Sequence, residues 1–159
     1  MTPQEITEKI KATFGASIVD AKTEGVPDPW IKLAPAKMLE AATLLHDDDA
    51  LNFDFLSCLS GVDYTKGKLG VVYHLYSMTH RHKIVLKVEL DVAAPDVPSV
   101  SSIWPTADWH EREAFDMFGI VFTGHPDLRR ILLPDDWEGY PLRKDYKVPE
   151  FYQGMKVPY

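Results

Sequence analysis

The chain has 159 residues, 45% of them hydrophobic, 26% charged and 11% aromatic. This length and balance fit one globular domain with its own core and exclude a wholly disordered chain. Seventeen Lys and Arg against 24 Asp and Glu give −7 and a pI near 5.3, which speaks against charge-driven binding of nucleic acid or anionic lipid. Cys58, the one cysteine, excludes an intrachain disulfide and any cluster held by this chain alone.

The N-terminus opens a helix. Thr2, Pro3 and Glu5 stand at capping-box spacing, Ile6, Ile10 and Phe14 recur at helical intervals, and Gly15 ends the run. No basic n-region or small-residue cleavage site accompanies it, so secretion is not expected. Residues 17–22 and 30–33 read as short strands around a Gly25–Pro27–Pro29 turn. A second helix is expected from Pro35 to about His46, because the acidic run Asp47–Asp49 suits a helix C-terminus badly. Three strands follow: Phe53–Leu59, Leu69–Tyr76 (apolar on both faces, as in a central strand) and Ile84–Leu90, which alternates cleanly. No apolar run approaches the roughly 18–20 residues of a membrane span.

The order α-β-β-α-β-β-β predicts an α+β fold, a two-layer sandwich of a mixed five-stranded sheet with helices on one face. Ser99–Trp104 reads as a short helical turn, and DWHEREAFDMFGI (108–120) as a third helix. Asp108 and Glu111 have capping-box spacing there, and Gly119 suits the position just past the helix end. Ala114, Phe115, Met117 and Phe118 share one side, with Arg112, Glu113 and Asp116 opposite. Glu111, Arg112, Glu113 and Asp116 are thereby expected to form a structural charge network. For Glu111 the readings are a capping box or a buried pair with Arg129, Arg130 or Arg143, in preference to catalysis.

The body is placed at residues 1–119 and an extended Pro- and aromatic-rich C-terminal arm at 120–159. The arm holds five of the twelve prolines, Pro126, Pro134, Pro141, Pro149 and Pro158, and seven of the eighteen aromatics. It cannot form a long helix or central strand, yet it is too apolar to float as a solvated linker. Its six basic and six acidic residues cancel, so the −7 belongs to the body. It must lie on its own body or on another protein, and composition favours a partner. The expected anchors are Arg129, Arg130 and Arg143 for charge, with Trp137, Tyr140, Leu142, Tyr146, Phe151 and Tyr152 as apolar contacts.

Chemistry of other kinds is sparse. HEREA at 110–114 has Ala114 where a zinc protease needs its second histidine. His80 and His82 lie two apart in a turn, and a stand-alone metal-dependent enzyme using them and His110 is the alternative from a different class. No Gly-rich phosphate loop or nucleophile elbow is present, and no catalytic, cofactor-binding or metal-ligating residue is assigned.

Residues 109–146 carry ERE (111–113), DMFGI (116–120), GHPDLRRILLP (124–134), DW (136–137) and PLRKDY (141–146). This stretch closely resembles the signature of the thirty-kilodalton (C-type) subunit family of respiratory complex I, the proton-pumping NADH:quinone oxidoreductase. The resemblance implies a peripheral-arm subunit without its own cofactor, on the cytoplasmic side of a bacterial inner membrane. It implies docking on the D, B and I subunits, with NAD(H), FMN, iron–sulfur clusters and quinone held elsewhere in the complex. The same module occurs as the J subunit of ferredoxin-dependent photosynthetic complexes and in hydrogenase- or deazaflavin-linked relatives. The short ending after PLRKDY implies a form not fused to the large quinone-site (D) subunit.

Overall fold

The computed structural model describes residues 1–157. Pro158, counted above among the arm prolines, lies outside the described residues. Helix α1 (Pro3–Phe14) starts on the expected box: the Glu5 amide donates to Thr2 Oγ1 and the Thr2 amide to Glu5 Oε2. Gly15, at φ +44°, closes it. Strands β1 (Ile18–Lys22) and β2 (Trp30–Leu33) follow. Pro35 begins a single 3-10 turn, and helix α2 (Met38–Asp47) starts three residues later than expected, because neither cap residue before it offers a side-chain acceptor. The acidic run after α2 closes on itself, with the Asp48 carboxylate taking the Ala50 and Leu51 amides and the Lys9 ammonium.

Strand β3 (Phe55–Thr65) is far longer than Phe53–Leu59. Its second half, SGVDYT, lies beyond the expected strand, yet β4 (Lys68–Tyr76), itself paired on its other side with β5 (Lys83–Asp91), provides continuous pairing as far as Thr65. The sheet order is β1-β2-β5-β4-β3, antiparallel throughout except for the parallel β2–β5 pair, which makes it mixed and five-stranded. One face carries Ile31, Leu33, Leu69, Val71, Tyr73, Ile84, Leu86 and Val88 against Ile6 and Ile10 of α1 and Met38, Ala42 and Leu45 of α2. On the other face Lys32 pairs with Glu89, and Lys87 lies over the Trp30 ring. There Val72 and Tyr76 are only half-buried, so β4 is buried fully on one face rather than two.

Strand β6 (Asp96–Pro98), a turn holding buried Trp104, helix α3 (Ala107–Phe118) and strand β7 (Val121–Thr123) complete the body. Strand β7 runs parallel to β6, and Ile120 and Phe122 belong to the core. The packed body therefore extends past residue 119, and the arm leaves it after Thr123. Near its end the arm forms a small antiparallel ribbon, β8 (Phe151–Tyr152) with β9 (Met155–Lys156).

Candidate functional site: two faces of the third helix and the arm

Helix α3 is covered on both sides. Ala114, Met117 and Phe118 pack on the core, and Phe118 sits so close to β3 that a Cβ on Gly61 would come within 2.6 Å of its ring. The opposite face, expected to carry a structural charge network, is buried at Arg112 and Asp116 by residues 129–133 of the arm. A polar helical face closed by a polar backbone is invisible to hydrophobic periodicity.

Asp116 is the centre of this second contact. Its side chain is fully buried, Oδ2 accepts the amides of Ile131, Leu132 and Leu133 at 3.1, 2.7 and 3.0 Å, and Oδ1 receives Arg130 Nη1 at 2.7 Å. Burial opposes its ionisation. The Leu133 and Leu132 amides, Arg130 and the Ile131 amide outweigh that and hold its pKa below the ordinary carboxylate value. Arg112 donates to the carbonyl oxygens of Arg129 and Arg130 and lies over the Trp109 ring at 5.0 Å. At the helix C-terminus, where the dipole favours cations, Arg143 Nε donates to the Phe118 carbonyl at 2.6 Å. Gly119 there adopts φ +71°, and Tyr140 lies against it between Arg130 (5.4 Å) and Arg143 (4.7 Å). The arm crosses to β3 where the Lys144 amide meets Asp63 Oδ2, a contact that depresses the Asp63 pKa.

Glu111 behaves otherwise. The expected Asp108–Glu111 capping box does not form, because α3 begins at Ala107, two residues before the start such a box requires, on a Thr106 cap without a side-chain bond. Nor does Glu111 pair with an arginine, since the arm arrives on the far face and its arginine goes to Asp116. Its carboxylate turns into the body, accepting Ser99 Oγ at 2.6 Å and the Val100 amide at 2.8 Å. Burial pushes its pKa up to about 7 against those two hydrogen bonds, and the neighbouring Asp108 charge adds to the rise. Glu113 stays outside the expected charge network: it is exposed, and with His110 and Leu142 it lines a shallow cleft over Gly61.

The nine residues expected to face a partner divide accordingly. Arg130, Tyr140 and Arg143 serve the intrachain clamp on α3, because their guanidinium and ring groups meet a carboxylate and a helix end within reach. Tyr146 packs on Gly139. The Trp137 and Tyr152 rings pack at 5.0 Å, tilted by 49°, and the Tyr152 hydroxyl donates to Asp136 at 2.9 Å, so they tie the distal ribbon to the arm before it. Arg129 is exposed and, among the described residues, paired only with Asp127. Leu142 and Phe151 point outward, joined by residues that composition and spacing did not single out: Trp109, Leu132, Val148 and Met155, each more than half exposed. Leu132 lies in the apolar run Ile131–Leu133 of the arm, which was the available signal, whereas Trp109 stands between Asp108 and His110 and carried none.

His80 and His82 donate to the backbone carbonyls of Asp49 and Leu51, and burial holds the His82 pKa down. Among the described residues no three His, Cys, Asp or Glu side chains gather in a metal-binding group, and no helix is long and apolar enough to cross a membrane.

Residues 31–152 match the family described as respiratory-chain NADH dehydrogenase, 30 Kd subunit. The chain is 52% identical to the C subunit of NADH-quinone oxidoreductase from Chloroherpeton thalassium over 160 residues, covering 99% of this chain and 66% of that relative. It is 48% identical to the protein of the same name from Roseiflexus sp. over 142 residues, covering 88% of this chain and 81% of the other. It thus spans just under two thirds of the Chloroherpeton protein, and 55% of the Salinispora arenicola one. Among solved structures it superposes on a trypsin-resistant fragment of Nqo5 with TM-score 0.67 at 28% identity, covering 80% of this chain and all of the fragment. A chain of an archaeal respiratory membrane complex, the membrane-bound sulfane sulfur reductase, matches with TM-score 0.75 at 25% identity, covering 91% of this chain and 85% of the other.

Proposed function

The chain belongs to the 30 kDa subunit family of respiratory-chain NADH dehydrogenase, also named the C subunit of NADH-quinone oxidoreductase, and from that premise we propose that it is a non-catalytic docking subunit of such an enzyme. It sits in the peripheral arm, on the cytoplasmic side of a bacterial inner membrane, beside the D, B and I subunits. It holds the quinone-site and iron–sulfur subunits in fixed register while electrons pass from NADH to quinone in a proton-pumping complex. NAD(H), FMN, the clusters and the quinone are carried by those neighbours.

The observation that carries this reading is the division of labour in the arm. Its proximal part is tied to α3 by Asp116, Arg112, Arg130 and Arg143. Leu142 within it and Val148, Phe151 and Met155 beyond it are left exposed. Apolar surface of this kind marks a contact with another protein. The intrachain clamp fixes where the distal ribbon points, so the order for association is partly present before the partner arrives.

The test is a native gel of mildly solubilised source membranes, probed for this chain and stained for NADH oxidation. Migration in a large NADH-oxidising band is the expected result, and a chain found only near its own mass overturns the reading. A second reading is favoured by the likeness to the sulfane sulfur reductase chain: the same module in a complex with another electron donor, such as ferredoxin, hydrogen or a deazaflavin. It predicts the large band without NADH staining.

A further inference from the structure

Glu111 lies at the centre of a polar cluster that docking does not use. The side chain is wholly buried, and among the described residues no Lys or Arg stands within ion-pair distance of it. From the segment after β6 come the Ser99 hydroxyl and the Val100 amide. From β4 comes Tyr73, whose buried hydroxyl has no hydrogen-bond partner and whose pKa is raised by burial first and then by the Glu111 charge. From α3 itself comes Asp108, with Oδ1 buried and without a hydrogen-bond partner. From the root of the arm comes His125, also fully buried in its side chain, with Nε2 4.0 Å from Glu111 Oε2.

His125 is turned to Asp108 rather than to Glu111. Its Nδ1 accepts the Asp127 amide at 3.0 Å, and its Nε2 faces the Asp108 carbonyl at 3.2 Å and Asp108 Oδ1 at 3.4 Å. Glu111 therefore faces two neutral donors, a phenol, a second carboxylate and an imidazole that is engaged by Asp108. A buried carboxylate in such company takes up a proton rather than keeping its charge. Asp116, equally buried one and a half turns along the same helix, shows the contrast: with a guanidinium and three amides it stays ionised.

The cluster also has an exit. Glu111 Oε2 meets Ser99 Oγ at 2.6 Å, and Ser99 Oγ meets Ser101 Oγ at 2.8 Å. Ser101 is only half-buried. Hydroxyls donate and accept at once, so this chain of oxygens joins the buried carboxylate to the surface.

We propose that Glu111 is a proton-binding site of the folded chain, exchanging with solvent through Ser99 and Ser101. On loading, Glu111 Oε2 takes the Ser99 hydroxyl proton, Ser99 takes that of Ser101, and Ser101 is resupplied by a hydronium ion or buffer acid; release runs the same steps backwards. The site goes beyond the docking role and does not depend on it. Its occupancy changes near neutral pH, and His125 places it against the root of the arm.

The experiment is a carbon-13 titration of the glutamate carboxyl groups in the full chain from about pH 4 to 9, the Glu111 signal being the one lost in Glu111→Gln. The expected midpoint lies near 7, with the Val100 amide moving at the same pH. Ser99→Ala removes a donor to the carboxylate and raises the midpoint, whereas Asp108→Asn removes a like charge and lowers it. Ser101→Ala leaves the midpoint in place and slows the exchange. A Glu111 midpoint in the ordinary range between about 4 and 5 overturns the site, and an unaltered exchange rate in Ser101→Ala overturns the route. Should Glu111→Gln not fold, the wild-type infrared band of a protonated carboxyl, present at acid pH and gone at alkaline pH, decides instead.

Discussion

The two faces of α3 hold buried carboxylates of opposite character. Glu111 looks into the body and, among the described residues, has no Lys or Arg within ion-pair distance; Asp116 looks at the arm and has Arg130 with three backbone amides. Burial alone therefore says little about a carboxylate's charge. Its partners decide, and they differ because one face is covered by a loop and a strand of the body while the other is covered by a segment bringing its own arginine and free N–H groups. The body face raises a pKa to about 7 and the arm face lowers one. One helix thus carries a neutralisable group and a permanent anion that clamps a chain segment.

The contrast breaks most severely at Asp116. Asp116→Ala leaves the Arg130 guanidinium, only 15% exposed, and three amides without their acceptor. Removing one partner of a buried pair costs about 3–5 kcal/mol, so denaturant unfolding is expected to shift by that amount, with faster tryptic cleavage at Arg129 and Arg130. At Glu111 the expected effect is a pH slope. The folded pKa lies above the unfolded one, so the proton stabilises the fold fully below about 4.5 and that contribution is lost as pH rises to about 7. The loss amounts to about 3 kcal/mol at 1.36 kcal/mol per unit. Asp116 has the opposite sign, its contribution being present above the ordinary 3.8 and lost at lower pH. Unfolding curves between these limits should show stability falling with rising pH, and Glu111→Gln should flatten that slope.

A smaller change is expected at the helix end that the arm covers. Gly119→Ala puts a Cβ within 2.5 Å of the Tyr140 ring at φ +71°, and overpacking of this kind costs about 1–3 kcal/mol. Thermal unfolding measures it. Least affected is the fold of Phe151→Ala, since that side chain is 60% exposed, with a change within about 0.5 kcal/mol. Assembly into the large native-gel band should weaken instead, as it should on deletion of residues 137–159 with the body still folded.

Elements held by local signals were legible in the sequence. The α1 box needs only Thr2 and Glu5, and β5 shows its alternation within nine residues. Gly119 marked the end of α3 correctly. What escaped were choices made at a distance. Nothing local shows that Gly61 and Asp63 continue a strand rather than end one, because β4 decides it. The Asp108–Glu111 spacing fits a capping box only if the helix starts at the right residue. The clamp on Asp116 uses backbone amides some fifteen residues ahead, which carry no side-chain signature, so composition favoured a partner over the chain's own body for the arm. The family motif located this segment without showing that part of it binds its own helix.

Hydrogen exchange on the isolated chain tests the two-faced helix most directly. The amides of Ile131, Leu132 and Leu133 are expected to be protected in the wild type and to lose protection in Asp116→Ala, while the β4 and β5 amides stay slow in both. If those three amides exchange in the wild type as fast as in an unstructured peptide, the clamp does not exist and the arm is free along its whole length.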